Sequence, residues 1–227
     1  MSFGPSRLQP LHDGILKRYP AVIARFDSGE LDWGNAAFAE LKKSLRLSLR
    51  AQQEGRCIYC RRKILIERRN ATEDIEHFLD KSKDKYKKWA FVAVNLALAC
   101  HPCNMQKTTR DMGDDGVAVA TELTETSGEY SWLHPYFDDY FENIEILDAW
   151  IYIVKKAAPR PARAKKMIQD CLLDQIKTIE ADRAALLDRI SRLQNMAMRC
   201  IDSNHLVRAR RILKYATHLT ENGWRYI

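Results

Sequence analysis

No stretch of this 227-residue chain approaches the roughly 18 uncharged apolar residues of a membrane-crossing helix. The opening Met1–Pro20 lacks the apolar core of a secretory signal, and the chain has neither an internal repeat nor a low-complexity segment. These absences predict a cytoplasmic protein that does not enter a membrane. Basic residues are also missing from one long stretch: residues 111–150 carry 11 Asp/Glu and no Lys or Arg. That stretch does not fit a DNA-binding surface. It reads as a solvated connection, a contact for a basic partner, or a screen over a cleft.

The basic residues lie on either side of it. Residues 42–110 hold 17 Lys/Arg against 7 Asp/Glu, and residues 151–227 hold 16 against 7. The first of these blocks also contains four of the six cysteines, as Cys57-x-x-Cys60 and Cys100-x-x-Cys103. In a reducing compartment, paired Cys-x-x-Cys motifs read as metal ligands before they read as disulfides. Four thiolates satisfy a closed tetrahedral Zn²⁺ site, which contributes folding energy and leaves no open position for chemistry. Cys171 and Cys200 read as packing residues in helical sequence.

The predicted fold class is α+β, mostly helical. A helix is expected from Asp32 as N-cap to Gln53, stopped by Gly55, with Phe38, Leu41, Leu45 and Leu49 on its apolar face. Lys63–Ile66 and Thr72–Leu79 read as short strands, residues 80–90 as a loop or short helix, and a further helix begins near Pro102. Trp150–Val154 reads as a strand. One long helix is expected over 160–200 and a last one over 205–220, stopped by Asn222-Gly223. The expected division is 1–55 helical, 56–110 the cysteine-braced core, 111–150 the acidic connection and 151–227 a C-terminal helical region.

Between the cysteine pairs lie the materials of phosphodiester hydrolysis. Glu76 and Asn104 offer hard oxygen ligands for Mg²⁺ or Mn²⁺, and His77 can take a proton from water near neutral pH. Adjacent strand residues point to opposite faces, so Glu76 and His77 can share a cleft only if the backbone turns between them. Singly, His77 also reads as a structural histidine and Asn104 as a helix cap. Asp74 reads either as support for such a metal site or as a solvated strand residue. Lys107 reads as a phosphate contact or an exposed charge. Arg61, Arg62, Arg68, Arg69 and Lys81 are expected backbone contacts that position nucleic acid without reading its sequence. His101 and His134 read as structural.

Cys57-x-x-Cys60, Ile75-Glu76-His77-Phe78, Asn95-Leu96 and Cys100-x-x-Cys103-Asn104-x-x-Lys107 together resemble the HNH endonuclease family. The match covers roughly residues 56–110. The resemblance implies a ββα-metal core braced by a four-cysteine zinc site. In that core His77 is the general base, Glu76 and Asn104 hold the catalytic Mg²⁺ or Mn²⁺, and Asn95 braces the loop that aims His77. The wider pattern is similar to the PtuB-like HNH proteins of Septu and retron-linked anti-phage systems. Those act beside an ATPase and usually have Pro where this chain has Asp80. The implied function is a DNA endonuclease serving as a defence effector with an ATPase partner. The alternative is a non-catalytic zinc module that binds nucleic acid or a partner protein.

Overall fold

The computed structural model describes residues 3–65, 72–147 and 150–222. Helices and two small two-stranded sheets make an α+β chain. It divides into two compact units, Met1–Glu145 with Ile153–Leu172, and Ile146–Tyr152 with Leu173–Ile227.

In the first unit, short helices α1 (Asp13–Leu16) and α2 (Pro20–Asp27) precede α3 (Ala39–Gln52). The expected cap at Asp32 is replaced by Asn35, whose side chain accepts from Ala37 N–H and opens a 3₁₀ turn, Ala36–Phe38, ahead of α3. Leu41, Leu45 and Leu49 are fully buried at four-residue spacing, so one stripe of α3 faces the core. Gly55 ends the helix as expected: with φ 66° it turns back, and its N–H reaches the Arg50 carbonyl at 2.9 Å.

Strands β1 (Glu73–His77) and β2 (Leu96–Cys100) pair antiparallel, with Glu73 opposite Cys100 and His77 opposite Leu96. The connection between them includes α4 (Asp84–Lys87), whose Tyr86 is buried. Helix α5 (His101–Lys107) starts where β2 stops, with Pro102 in its first turn. The chain runs strand, strand, helix, but not with the two strands expected: Thr72–Leu79 contains β1, whereas its partner β2 comes from Leu96–Cys100, which was not expected to be a strand. The Lys63–Ile66 strand reduces to a single bridge between Lys63 and Arg56, because the chain closes on its own knuckle; Ile66, Arg68 and Arg69 lie outside the described residues.

Residues 111–145 belong to the same unit as the cysteine block. Their charges mask an aromatic core. Helix α6 (Asp115–Val119) is capped by Asp114, and Trp132, Leu133, His134, Tyr136 and Tyr140 are buried. Trp132 packs edge-on against Tyr59 at 5.2 Å, and Tyr140 donates its hydroxyl to the Tyr59 carbonyl. Helix α7 (Tyr140–Asn143) leads to the second sheet, β3 (Ile144–Leu147) with β4 (Ile151–Val154).

The single helix expected over 160–200 is two, α8 (Pro161–Asp170) and α9 (Leu173–Asp202). The break is at Leu172, φ 52°, with no glycine or proline to announce it. It follows a tertiary anchor, the Trp132 indole donating to Asp170, and Cys171 beside it is buried. In the second unit α9 pairs with α10 (Leu206–Asn222), and small buried residues line the seam: Ala197 from α9, Ala209 and Ala216 from α10. No described helix is long and apolar enough to cross a membrane.

Candidate metal centre and the two faces of the hairpin

The first knuckle is a tight turn. Arg61 N–H donates to Cys57 C=O, Cys57 N–H donates to Arg62 C=O, and Arg61 takes φ 60° to close it. Ile58 N–H donates to Leu98 C=O, which ties the knuckle to β2. Gln53, buried, does the rest: its amide donates to Leu98 C=O and accepts from Leu98 N–H, standing in for a neighbouring strand. The second pair comes from the β2–α5 junction, Cys100 ending the strand and Cys103 in the first helical turn. All four Sγ atoms lie within 4.8 Å of one another. Cys60 and Cys100 are 3.8 Å apart, matching the roughly 3.8 Å between thiolates on a tetrahedral ion with 2.3 Å bonds. Cys57, Cys60, Cys100 and Cys103 are thus positioned to hold a metal ion, with Zn²⁺ the chemically fitting choice.

Strand alternation then sorts the ionisable residues. Asp74 and Glu76 share the face covered by α5, above Ala99 and Ala97, whose small side chains let the helix approach. Glu76 is 3% exposed, and one of its oxygens accepts from Lys107 at 2.7 Å and from the Tyr59 hydroxyl at 3.1 Å. Burial raises the Glu76 carboxyl above its ordinary value, outweighing Lys107, which pulls the other way. Lys107 also donates to the His77 carbonyl at 2.9 Å and is itself buried. It is neither an exposed charge nor a phosphate contact. Asp74, partly exposed, accepts from Asn104 Nδ2 and lies beside His101 Nδ1, both at 2.9 Å.

The opposite face carries Glu73, Ile75 and His77 toward α3. Glu73 accepts from Arg50 at 2.7 and 3.0 Å, with Arg46 at 3.7 Å. His77 stands edge-on to Trp33, ring centroids 4.7 Å apart, and is 4% exposed. Burial holds its pKa well below the ordinary value, helped by Lys81, Lys107 and Lys42. Its Nε2 is buried without a hydrogen-bond partner. The two half-buried ammonium groups lie against the indole, Lys42 4.7 Å and Lys81 5.7 Å from its centre. Burial lowers both of their pKa values.

The strand runs unbroken through the Glu76–His77 pair, so the turn expected between them does not occur. Glu76 and Asn104 do share the α5 face, but Lys107 occupies the Glu76 carboxylate. A second cation beside that ammonium is electrostatically disfavoured, and Glu76 with Asn104 does not fit Mg²⁺ or Mn²⁺ in this arrangement. Asn95 lies against the segment that follows β1. Fully buried, it accepts from Leu79 N–H at 2.7 Å and donates to the Leu79 and Trp89 carbonyls. Arg61, expected on a nucleic-acid surface, is 2% exposed, stacked 4.0 Å over the Tyr140 ring and bonded to the Pro5 carbonyl. Arg62 and Lys81 remain partly exposed. Sequence reasoning missed Trp33, Tyr59 and Gln53. Only the spacing of Gln53 from Gly55 hinted at a helix end, and nothing local revealed the other two. No family model, curated protein or solved structure matches this chain.

Proposed function

We propose that the chain is a zinc-braced endonuclease of the HNH kind that hydrolyses DNA phosphodiester bonds in the presence of Mg²⁺ or Mn²⁺. The observation that carries the reading is His77. Burial keeps the imidazole neutral and Nε2 is buried without a hydrogen-bond partner, so the tautomer protonated at Nδ1 would leave Nε2 a free acceptor. A general base needs that tautomer and that charge state. Lys81 and Lys42, gathered around Trp33, supply positive charge where a phosphate would approach. The strand–strand–helix order around the four-cysteine cluster, with Asn95 bracing the loop after β1, accords with the same reading. Trp33 closes His77 from solvent, so cleavage requires that ring to move aside. A chain silent until a partner opens it suits a defence effector working beside an ATPase.

A second reading is favoured by the separation of Glu76 from His77: a zinc module that binds nucleic acid or a partner protein without cutting. Plasmid incubated with the zinc-loaded protein and Mn²⁺ or Mg²⁺, beside His77→Ala, separates the two. Nicking by the wild type and none by the variant supports the nuclease. Equal nicking by both removes His77 from the chemistry, and shifted plasmid mobility without nicking favours the module.

A further inference from the structure

We propose that Asp74, His101 and Asn104 form a site for a first-row divalent cation on the α5 face of β1, separate from the four-cysteine cluster. Asp74 Oδ2 is 2.9 Å from both His101 Nδ1 and Asn104 Nδ2. Around an octahedral ion with bonds of about 2.1 Å, neighbouring ligand atoms stand about 3 Å apart. His101 and Asn104 therefore each stand at ligand spacing from Asp74. Half a turn of the Asn104 amide brings Oδ1 to the place of Nδ2.

The backbone beneath them is fixed on every side. Asp74 pairs with Ala99 across the sheet, and His101 N–H donates to Thr72 C=O. His101 and Asn104 directly follow Cys100 and Cys103, so a metal on the cysteines would hold both in place. The Asp74 side chain is 31% exposed and that of His101 53%, which leaves ions and coordinating water a path in. Glu76, the other carboxylate on this face, is closed off by Lys107 and Tyr59 and does not compete. One carboxylate, one imidazole and one amide oxygen leave positions for water. The imidazole favours Co²⁺ and Ni²⁺ over Mg²⁺ and Ca²⁺, with Mn²⁺ the weakest of the first-row ions but supported by the carboxylate, amide and water oxygens. The site goes beyond the nuclease reading, because His77 projects from the other face of the strand.

Mn²⁺ titration of the zinc-loaded full-length chain, read as free-ion EPR signal and as paramagnetic broadening of amide resonances, tests it. The expected result is one Mn²⁺ bound beyond the zinc, with broadening centred on Asp74, His101 and Asn104. Asp74→Asn and His101→Ala should each weaken that binding by more than about tenfold, while Glu76→Gln leaves it unchanged. Zinc content and circular dichroism of each variant establish that it is folded. Absence of a bound Mn²⁺, retention in Asp74→Asn, loss in Glu76→Gln alone, or Ca²⁺ binding as tight as Mn²⁺ each overturns the proposal. All four are read without DNA, so the nuclease reading stands or falls separately in the plasmid assay.

Discussion

The two faces of β1 carry two ionisable side chains each and treat them differently. Toward α3, Glu73 is matched by the arginines of a helix surface, and His77 is kept neutral by burial. Toward α5, Glu76 is sealed with Lys107, while Asp74 stays open to solvent with His101 and Asn104. A charge whose partner is partly solvated is cheap to keep. A charge pair buried at both ends has no such outlet and makes the structure depend on both members. The difference assigns stability to Glu73, Glu76 and Lys107, and leaves His77 and Asp74 as the groups with unused chemical capacity.

The comparison breaks most completely if the staple joining both faces is removed. Stripping zinc with a strong chelator, or Cys57→Ser, should unfold the first unit, since structural zinc is worth on the order of 10 kcal/mol. Near-UV circular dichroism follows this through Trp132, packed against Tyr59 of the first knuckle. Next comes Lys107→Met, which leaves Glu76 buried and unpaired at an expected cost of about 3–5 kcal/mol. Adding Glu76→Gln should recover most of that in denaturant melts; no recovery would mean that Lys107 acts through the His77 carbonyl instead. Glu73→Gln should cost less, about 1–2 kcal/mol, because Arg50 and Arg46 keep contact with water when the carboxylate is gone. Equal costs for Glu73→Gln and Lys107→Met would erase the distinction between the faces.

Much of this was legible in residue patterns, and what was not has a physical cause. Spacing alone pointed to the cysteine cluster, the stripe of α3, the stop at Gly55 and the start of α5 near Pro102, because each is a local rule. Asn95 was singled out by resemblance alone; its side chain makes three hydrogen bonds, to Leu79 and Trp89. The residues around the site were hidden because tertiary contacts choose them. Lys107 and Arg61 looked like surface cations and were buried by partners 31 and 79 residues away in sequence, Glu76 and Tyr140. Charge counting read 111–150 as a solvated connection because its acids are numerous. Tyr130, Trp132, Tyr136 and Tyr140 form core there, and they are too irregularly spaced to show a period. The break at Leu172 has no breaker residue, since Trp132 anchors Asp170 from outside the helix.

The smallest effect expected is a slope rather than a midpoint. A histidine whose folded pKa lies below its unfolded value of about 6.5 contributes stability above that pH and loses it as pH falls toward the folded value. His77 is such a group, with Lys81, Lys107 and Lys42 facing it and adding to the burial. Glu76 has the opposite sign: its raised carboxyl favours the fold below the usual carboxylate pKa and loses that advantage as pH rises through the raised value. Stability measured from pH 7 downward should therefore fall with a contribution from His77 of at most about 1.4 kcal/mol per pH unit. His77→Phe, which keeps the edge-on packing against Trp33, should remove that share. His134 and His12, also buried and lowered, would account for what remains. Trp33→Ala should raise the His77 titration toward 6.5 in histidine NMR spectra by admitting water. An unchanged titration would mean that Trp33 is not what closes the α3 face, and that the two faces of β1 differ for another reason.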